Sequence, residues 1–285
     1  MCYNKRTGHD NLEFSIWKKQ KVVLVIFIIY LLVGLLSSII GAIAGLGGGV
    51  IIKPVLDSIG TYDVSTIGIL SGTTVFAMAC VSVIKTARSG YVIRGKTIFV
   101  IAAGSIIGGI LGQYIFNHLI ENWDKPDFIT VLQAGTLAII LIFVYILTRL
   151  KNIIRTYNFK NLLLIFMIGL ALGTLSAFLG IGGGPLNMLV LSLLFSMNVR
   201  DAAINSIFII FFSQLASLIT VFFTTGFAEY DLSMLVYMIA GGIIGGLIGT
   251  SLSQRLRLAS IDRLYAITIL GLAILNIFNM IRYLI

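Results

Sequence analysis

Long uninterrupted apolar runs, set apart by short charged segments, dominate this chain. Eight of them lie at 22–44, 65–84, 97–116, 128–148, 162–179, 202–223, 232–253 and 264–281, and none contains a charged residue. A helix needs about 20 apolar residues to cross a hydrocarbon core, whereas a barrel strand needs about 9–11 in alternation. Continuous runs of this length predict membrane-spanning helices. Two shorter apolar pieces, 50–59 and 185–197, each follow a glycine cluster. At 1.5 Å per residue they reach roughly 15–20 Å, about half to two-thirds of the core. Each reads as a half-helix or a re-entrant segment. Irregular backbone at that depth is tolerated only where protein or a water-filled cavity surrounds it.

Composition agrees with this pattern. Of 285 residues, 58% are hydrophobic and 11% charged, whereas a soluble domain carries roughly a quarter charged residues. The net charge of +9 comes from basic residues between the apolar runs. They read as topology signals, so no nucleic-acid partner is expected. Cys2 and Cys80 lie far apart, and with two histidines they build neither a disulfide framework nor a zinc site. No metal or cofactor is expected. Lys18, Lys19 and Lys21 before the first run, and Ala42-Ile43-Ala44 at its end, resemble a signal peptide. The run is too long for that, and its glycine-rich end recurs deep in the chain. The expected class is an all-α polytopic protein of the plasma membrane.

The recurrence extends along the chain. Gly45-Leu46-Gly47-Gly48-Gly49 matches Gly180-Ile181-Gly182-Gly183-Gly184 at an offset of 135, and Gly41, Leu56, Val64, Ser71 and Ser82 meet Ser176, Leu191, Val199, Ser206 and Ser217 at the same offset. At 137, Gly104, Gly108, Gly109 and Gly112 meet Gly241, Gly245, Gly246 and Gly249. Two ordered glycine constellations predict a duplication: a tail over 1–21, one repeat over 22–148, a basic cytoplasmic linker over 149–160 and a second repeat over 161–285. Each repeat holds five membrane segments, four long helices and one half-helix.

Loop charge bears on their relative orientation. Lys and Arg number 4, 1, 4, 0 and 3 in loops 85–96, 118–127, 149–160, 225–231 and 254–263. Basic loops belong in the cytoplasm, which requires an odd number of crossings between 149–160 and 225–231. The half-helix at 185–197 would then help complete a crossing, and the repeats would be inverted. The cost is an outside N-terminus despite its lysines. Parallel repeats with re-entrant half-helices keep that tail inside but strand the basic 254–263 outside.

Glycine leaves neighbouring amides open, and a helix N-terminus carries about half a positive charge. A small anion can therefore be held at such a break by backbone N–H groups, and inverted-repeat transporters use interrupted helices in this way. Pro185 suits the first turn of the second half-helix. The same glycines also form small-xxx-small packing faces, the only role expected for Gly104/108/112 and Gly241/245/249. A nucleotide-phosphate loop would need a preceding strand and a Lys-Ser/Thr pair, both missing here.

The segments Gly45-Leu-Gly-Gly-Gly-Val-Ile-Ile-Lys-Pro54 and Gly180-Ile-Gly-Gly-Gly-Pro185-Leu-Asn-Met resemble the signature of the sulfite exporter TauE/SafE family. The resemblance covers all but the first twenty or so residues. It implies a transporter of small, often sulfur-containing anions such as sulfite, sulfonates or thiosulfate. The prolines fall at different offsets, so the two half-helices need not be equivalent.

Polar residues inside apolar runs complete the candidate site, since unpaired ones are costly there. They are Ser71, Thr73 and Thr74 on one long helix, Asn205 and Ser206 at the matching place, and Asn187 in the second half-helix. Gln214 is a weaker candidate. Lys53, the one cation in either half-helix, either snorkels to the interface or neutralises an anion. The candidate substrate site is thus Gly47, Gly48, Gly49, Lys53, Ser71, Thr73, Thr74, Gly182, Gly183, Gly184, Asn187, Asn205 and Ser206. His9 and His118 read as solvated, and Arg200 and Asp201 as a helix start.

The expected function is secondary transport, most simply export, of a small anion by alternating access of the two repeats, with the lipid bilayer as its surroundings. An anion channel remains an alternative, and homo-oligomeric assembly stays open. No enzyme is expected, because no His, Asp or Glu lies in the long runs. For the same reason carboxylate-based proton coupling is not expected, leaving the membrane potential to drive the exported anion. Inverted repeats place both termini outside, so Cys2 should react with a membrane-impermeant thiol reagent in intact cells. Labelling only after permeabilisation would point to parallel repeats.

Overall fold

The computed structural model describes residues 6–90, 95–122, 126–151, 153 and 156–284, with the side chains of the first helix described from Val25. Cys2, Arg94, Asp124, Lys125 and Arg155 lie outside the described residues. Ten helices, and no strand, occur among those described. They are α1 (Arg6–Ala44), α2 (Gly49–Ile59), α3 (Val64–Arg88), α4 (Gly95–Asn122), α5 (Pro126–Leu150), α6 (Leu162–Leu179), α7 (Gly184–Leu194), α8 (Val199–Phe223), α9 (Leu235–Arg255) and α10 (Leu258–Leu284). Eight are long and apolar enough to cross a membrane; α2 and α7, with 11 residues each, are too short. The chain is an all-helical, multi-pass membrane protein. Large apolar side chains such as Ile139, Leu163, Phe223 and Ile274 face outward, where lipid replaces water as the surrounding solvent.

Helix starts follow from local chemistry. Asp63 caps α3, its carboxylate accepting from the amides of Ser65 and Thr66, both at 3.0 Å. Asn161 caps α6 through Leu163 N at 3.0 Å, and Asn198 caps α8 through Asp201 N at 2.9 Å. Each cap satisfies amides that have no partner within the helix. The eighth helix therefore starts at Val199 instead of 202, with Arg200 and Asp201 in its first turn. Pro185 stands in the first turn of α7. That helix ends at Leu194, short of 197, and Ser196 takes a positive φ of 51° just beyond it.

Close helix pairs depend on glycine. A Cβ on Gly104, Gly108 or Gly112 would lie 2.3, 2.1 or 2.3 Å from the carbonyl oxygen of Phe166, Leu170 or Thr174. Since both series ascend together, α4 and α6 run parallel. Gly241, Gly245 and Gly249 meet the carbonyls of Leu31, Leu35 and Ile39, each at 2.5 Å, so α9 runs parallel to α1 in the same manner.

Both half-helices turn back. Beyond α7, Tyr157 N donates to Leu193 O at 2.8 Å and Ser196 Oγ to Tyr157 O at 2.9 Å, returning the chain to the segment before α6. Beyond α2, the Thr61 hydroxyl bonds that of Tyr30 on α1. The expectation that 185–197 completes a crossing is therefore corrected. α6, at 18 residues and roughly 27 Å, ends at a glycine break inside the protein; α7 returns, and α8 alone makes the crossing.

Hydrogen bonds and ring contacts sort the loops into two ends. Lys85 bonds Leu247 O and Ser251, Lys151 pairs with Asp262, and Arg200 bonds Leu256 O, gathering a basic end. At the other end, Phe27 stacks on Tyr237 with centroids 4.5 Å apart, Tyr62 bonds Ser233 at 3.1 Å, and Arg282 bonds Ser58 O. Asp63, Glu229 and Asp231 make this end acidic. The close approaches make a clear prediction. Gly108→Ala forces a Cβ against Leu170 O and should cost about 1–3 kcal/mol or more. Gly271→Ala in α10, where a Cβ meets nothing within 4 Å, should be neutral or stabilising by up to about 1 kcal/mol. Thermal unfolding of the two detergent-purified variants checks this ranking.

Candidate functional site

The two glycine breaks take positive φ at matching positions. Gly45, Gly47 and Gly48 have φ of 69°, 80° and 66°, and Gly180, Gly182 and Gly183 have 64°, 77° and 69°. Side chains rarely tolerate this left-handed region. The breaks also cross each other: a Cβ on Gly184 would lie 1.9 Å from Leu46 O, and one on Gly49 would lie 2.7 Å from Ile181 O. Backbone meets backbone at this point, leaving no room for a ligand between Gly184 and Leu46.

Several candidate polar groups are already bonded to the backbone of the breaks or of their own helices. Leu46 N and Gly47 N donate to Gly41 O at 2.9 and 3.3 Å, and Gly49 N to Gly47 O at 2.6 Å. Ser206 Oγ donates to Gly45 O at 2.6 Å, Ser71 Oγ to Gly49 O at 3.5 Å, and Thr74 Oγ1 to Leu70 O at 2.7 Å. Asn205 Nδ2 donates to Asp201 O at 2.8 Å. Asn205 Oδ1, Asn187 Oδ1, Thr73 Oγ1 and Ser176 Oγ are buried without a hydrogen-bond partner among the described residues. Asn187 and Ser176 both lie beside Gly183.

A polar chamber opens next to the crossing, on the side of the acidic end. Lys53, Gln113, Gln133, Gln214, Ser217, Ser65 and Tyr230 line it, together with Gly68, Gly72 and Gly180. Lys53 is 3% exposed, which overturns the snorkelling alternative. Its Nζ donates to Gln133 Oε1 at 2.7 Å, and Gln133 Nε2 donates to Phe178 O at 2.6 Å. Ser217 Oγ donates to Gln113 Oε1 at 3.0 Å. Gln214 reaches the second break, its Nε2 lying 3.7 Å from where a Cβ on Gly182 would stand.

The chamber has a volume of about 30 Å³, room for a water or two. Ser65 and Tyr230 also line a larger vestibule of about 310 Å³, with Asp63, Asn117, Ile120, Thr225 and Glu229, at the acidic end. On the opposite side, Ser82, Val83, Thr86, Ile204, Ile207 and Phe208 line a cleft of about 10 Å³ that contains no charge. Of the candidate residues read from sequence, Lys53 and the weaker candidate Gln214 line the chamber. Gln113 and Gln133 were not among them, although each is a carboxamide inside a charge-free run, the same signal that singled out Asn187 and Asn205.

Eight helices long and apolar enough to cross a membrane, two short helices that turn back at glycine breaks and a buried cation facing a polar chamber fit the class of a membrane transporter. The sequence matches the family described as Sulfite exporter TauE/SafE over residues 30–276, and the chain belongs to that family. It is 24% identical over 266 residues to the Bacillus subtilis protein named probable membrane transporter protein YunE, a match covering 86% of this chain and 94% of YunE. It is also 26% identical over 113 residues to probable membrane transporter protein MamO of Magnetospirillum gryphiswaldense, covering 38% of this chain and 18% of MamO. No solved structure matches it.

The lysine's carboxamide support can be tested directly. Gln133→Leu removes the described partners of Lys53 Nζ and Phe178 O and should cost about 1–3 kcal/mol. The double variant Lys53→Met/Gln133→Leu should lose less than the sum of the single losses, because the buried charge goes with its partner. A thermal-unfolding double-mutant cycle measures that coupling. Additive losses would show that the two side chains do not act together.

Proposed function

We propose that this protein is a secondary transporter that exports a small anion, most readily a sulfur oxyanion or a sulfonate, across the plasma membrane. The observation that carries this reading is Lys53, a cation buried among carboxamides in a chamber leading toward one end of the bundle. Hydrogen bonds to a charged group are worth about 1.5–3 kcal/mol, and the low dielectric of the surrounding bundle strengthens the lysine's attraction for an anion. Lys53, Gln113, Gln133, Gln214 and Ser217 would hold the anion. The Gly182–Gly184 break, with Asn187, would form the wall behind Gln214. Gly47–Gly49, Ser71, Thr73, Thr74, Asn205 and Ser206 would hold the crossing about which the halves move.

The two halves, 22–148 and 161–285, would be inverted repeats joined by the cytoplasmic linker 149–160. Supporting this, contacts recur with the halves exchanged: Gly45 lies against Ala203 and Gly180 against Gly68, while Gly49 lies against Ile181 and Gly184 against Leu46. The equivalent helices α1 and α6 run in opposite directions between the basic and acidic ends. The positive-inside rule puts the basic end in the cytoplasm, where it would gather anions for export. Rocking one repeat against the other would then open the chamber alternately to each end, and the vestibule fits an outward-open arrangement. No enzymatic step and no cofactor enter this reading; the substrate anion and the bilayer are its partners.

Thermal-shift screening of the purified protein against sulfite, thiosulfate, sulfoacetate, phosphate and carboxylates should give selective stabilisation by the sulfur anions. Lys53→Gln should weaken that binding by about 10–100-fold. Lys96→Gln, in the basic end, should leave it within about twofold, as for an exposed charge. Saturable counterflow of labelled thiosulfate in liposomes separates a carrier from a channel. An unchanged affinity in folded Lys53→Gln would remove the chamber from the transport path.

A further inference from the structure

The bundle buries one more charge, which the apolar runs leave outside. Asp57 lies in α2, one turn beyond Lys53, and is likewise 3% exposed. Residues four apart on a helix share a face, so carboxylate and ammonium lie on one face of the same half-helix, with Lys53 lining the chamber and Asp57 behind it. They do not form a direct ion pair, the ion pair among the described residues being Lys151–Asp262 at the basic end. Lys53 instead bonds Gln133, and none of the described hydrogen bonds involves the Asp57 carboxylate. The half-helix is re-entrant, so this carboxylate lies within the bundle although it is missing from every long apolar run.

The other charged or titratable groups around α2 are engaged elsewhere. From α10, Tyr283 OH donates to the Asp57 backbone oxygen at 3.0 Å and Arg282 to that of Ser58. From α1, Tyr30 bonds Thr61. Between α2 and α3, Tyr62 bonds Ser233 and Asp63 caps α3. From α5, Gln133 supplies a neutral carboxamide. Asp57 is therefore the carboxylate placed to feel an anion arriving at Lys53.

We propose that Asp57 makes anion binding proton-linked, so that the chamber takes up a proton together with its anion. With Lys53 protonated and Asp57 ionised, the empty site is neutral overall. An anion at Lys53 adds a second negative charge next to Asp57, in surroundings where an uncompensated charge is costly. Protonating Asp57 restores neutrality; the proton comes from solvent, forms an O–H bond on the carboxylate and leaves when the anion leaves. By linkage, lower pH must then favour anion binding, since the bound state holds the extra proton. Anion and proton move in the same direction; with a monovalent sulfonate the loaded site carries no added charge, and with a dianion such as thiosulfate it carries one added negative charge instead of two. For a monovalent sulfonate, flux then follows the anion and proton gradients, and accumulated cytoplasmic anion drives export without help from the membrane potential. This inference rests on the anion-transport reading above and adds its coupling ion.

The test measures binding of thiosulfate and ethanesulfonate to the purified full-length protein, both anions being fully ionised from acidic to neutral pH. Titration calorimetry in two buffers of different ionisation enthalpy counts the protons taken up. Wild type should bind more tightly as pH falls, by up to about tenfold per pH unit, with uptake approaching one proton per anion. Asp57→Asn should bind about 10–100-fold more tightly at neutral pH, where the repelling carboxylate is gone, and should lose the pH dependence. Asp57→Glu should keep it. Should Asp57→Asn not yield monodisperse protein, proton uptake by wild type and Asp57→Glu decides. Binding without proton uptake, or an undiminished pH dependence in Asp57→Asn, overturns the coupling and leaves the anion site standing. No binding of either anion by folded wild type at any pH overturns the anion site itself, and the coupling with it.

Discussion

Two chain breaks crossing backbone against backbone set the constraint on which the rest of this structure depends. Gly184 sits on the Leu46 carbonyl and Gly49 on that of Ile181, at distances that a side chain on either glycine would not allow. Close approach and left-handed φ are both demanded, so glycine is required twice over at these breaks. The crossing stops α1 and α6 inside the protein and starts α2 and α7 there. It also surrounds their exposed helix ends with protein, the condition under which broken helices persist at membrane depth. The partner chain segments are held close by the same device, glycine faces on α4 and α9 lying against the carbonyls of α6 and α1.

A shared scaffold does not make the two sides of the crossing chemically equal. One side holds Lys53, three glutamines and Ser217, and the other holds a tight cleft with hydroxyls and apolar groups alone. Burying an ammonium in a bundle of low polarity is costly unless it is hydrogen-bonded. The relay from Lys53 through Gln133 to the Phe178 carbonyl meets that need and ties α2 to α5 and α6. Because α2 bears Lys53 and also begins at the crossing, the buried cation and the crossing share one short helix.

Charge is divided between the ends in the same way. Lys85, Lys151 and Arg200 tie helices together at one end, whereas Asp63 and Glu229 line the vestibule at the other.

The helical membrane class, the limits of most helices and the two breaks were legible in the sequence because each rests on local chemistry. Length and apolarity define a span, and Asp63, Asn161 and Asn198 cap helices within their own segments. Repeated glycines at 45–49 and 180–184 marked the breaks, since few other residues accept the backbone conformation found there. The direction taken after each break was not local. Whether α7 crosses or returns depends on contacts such as Tyr157 with Leu193, between residues on either side of α6 and α7. The chamber was hidden for the same reason: Lys53, Gln113, Gln133 and Gln214 are far apart in sequence and are brought together only when α2, α4, α5 and α8 close around it. Asp57 is the clearest case. Composition placed it outside the long apolar runs, but re-entry of α2 carried it into the bundle, and burial, which belongs to the whole fold, decided its surroundings.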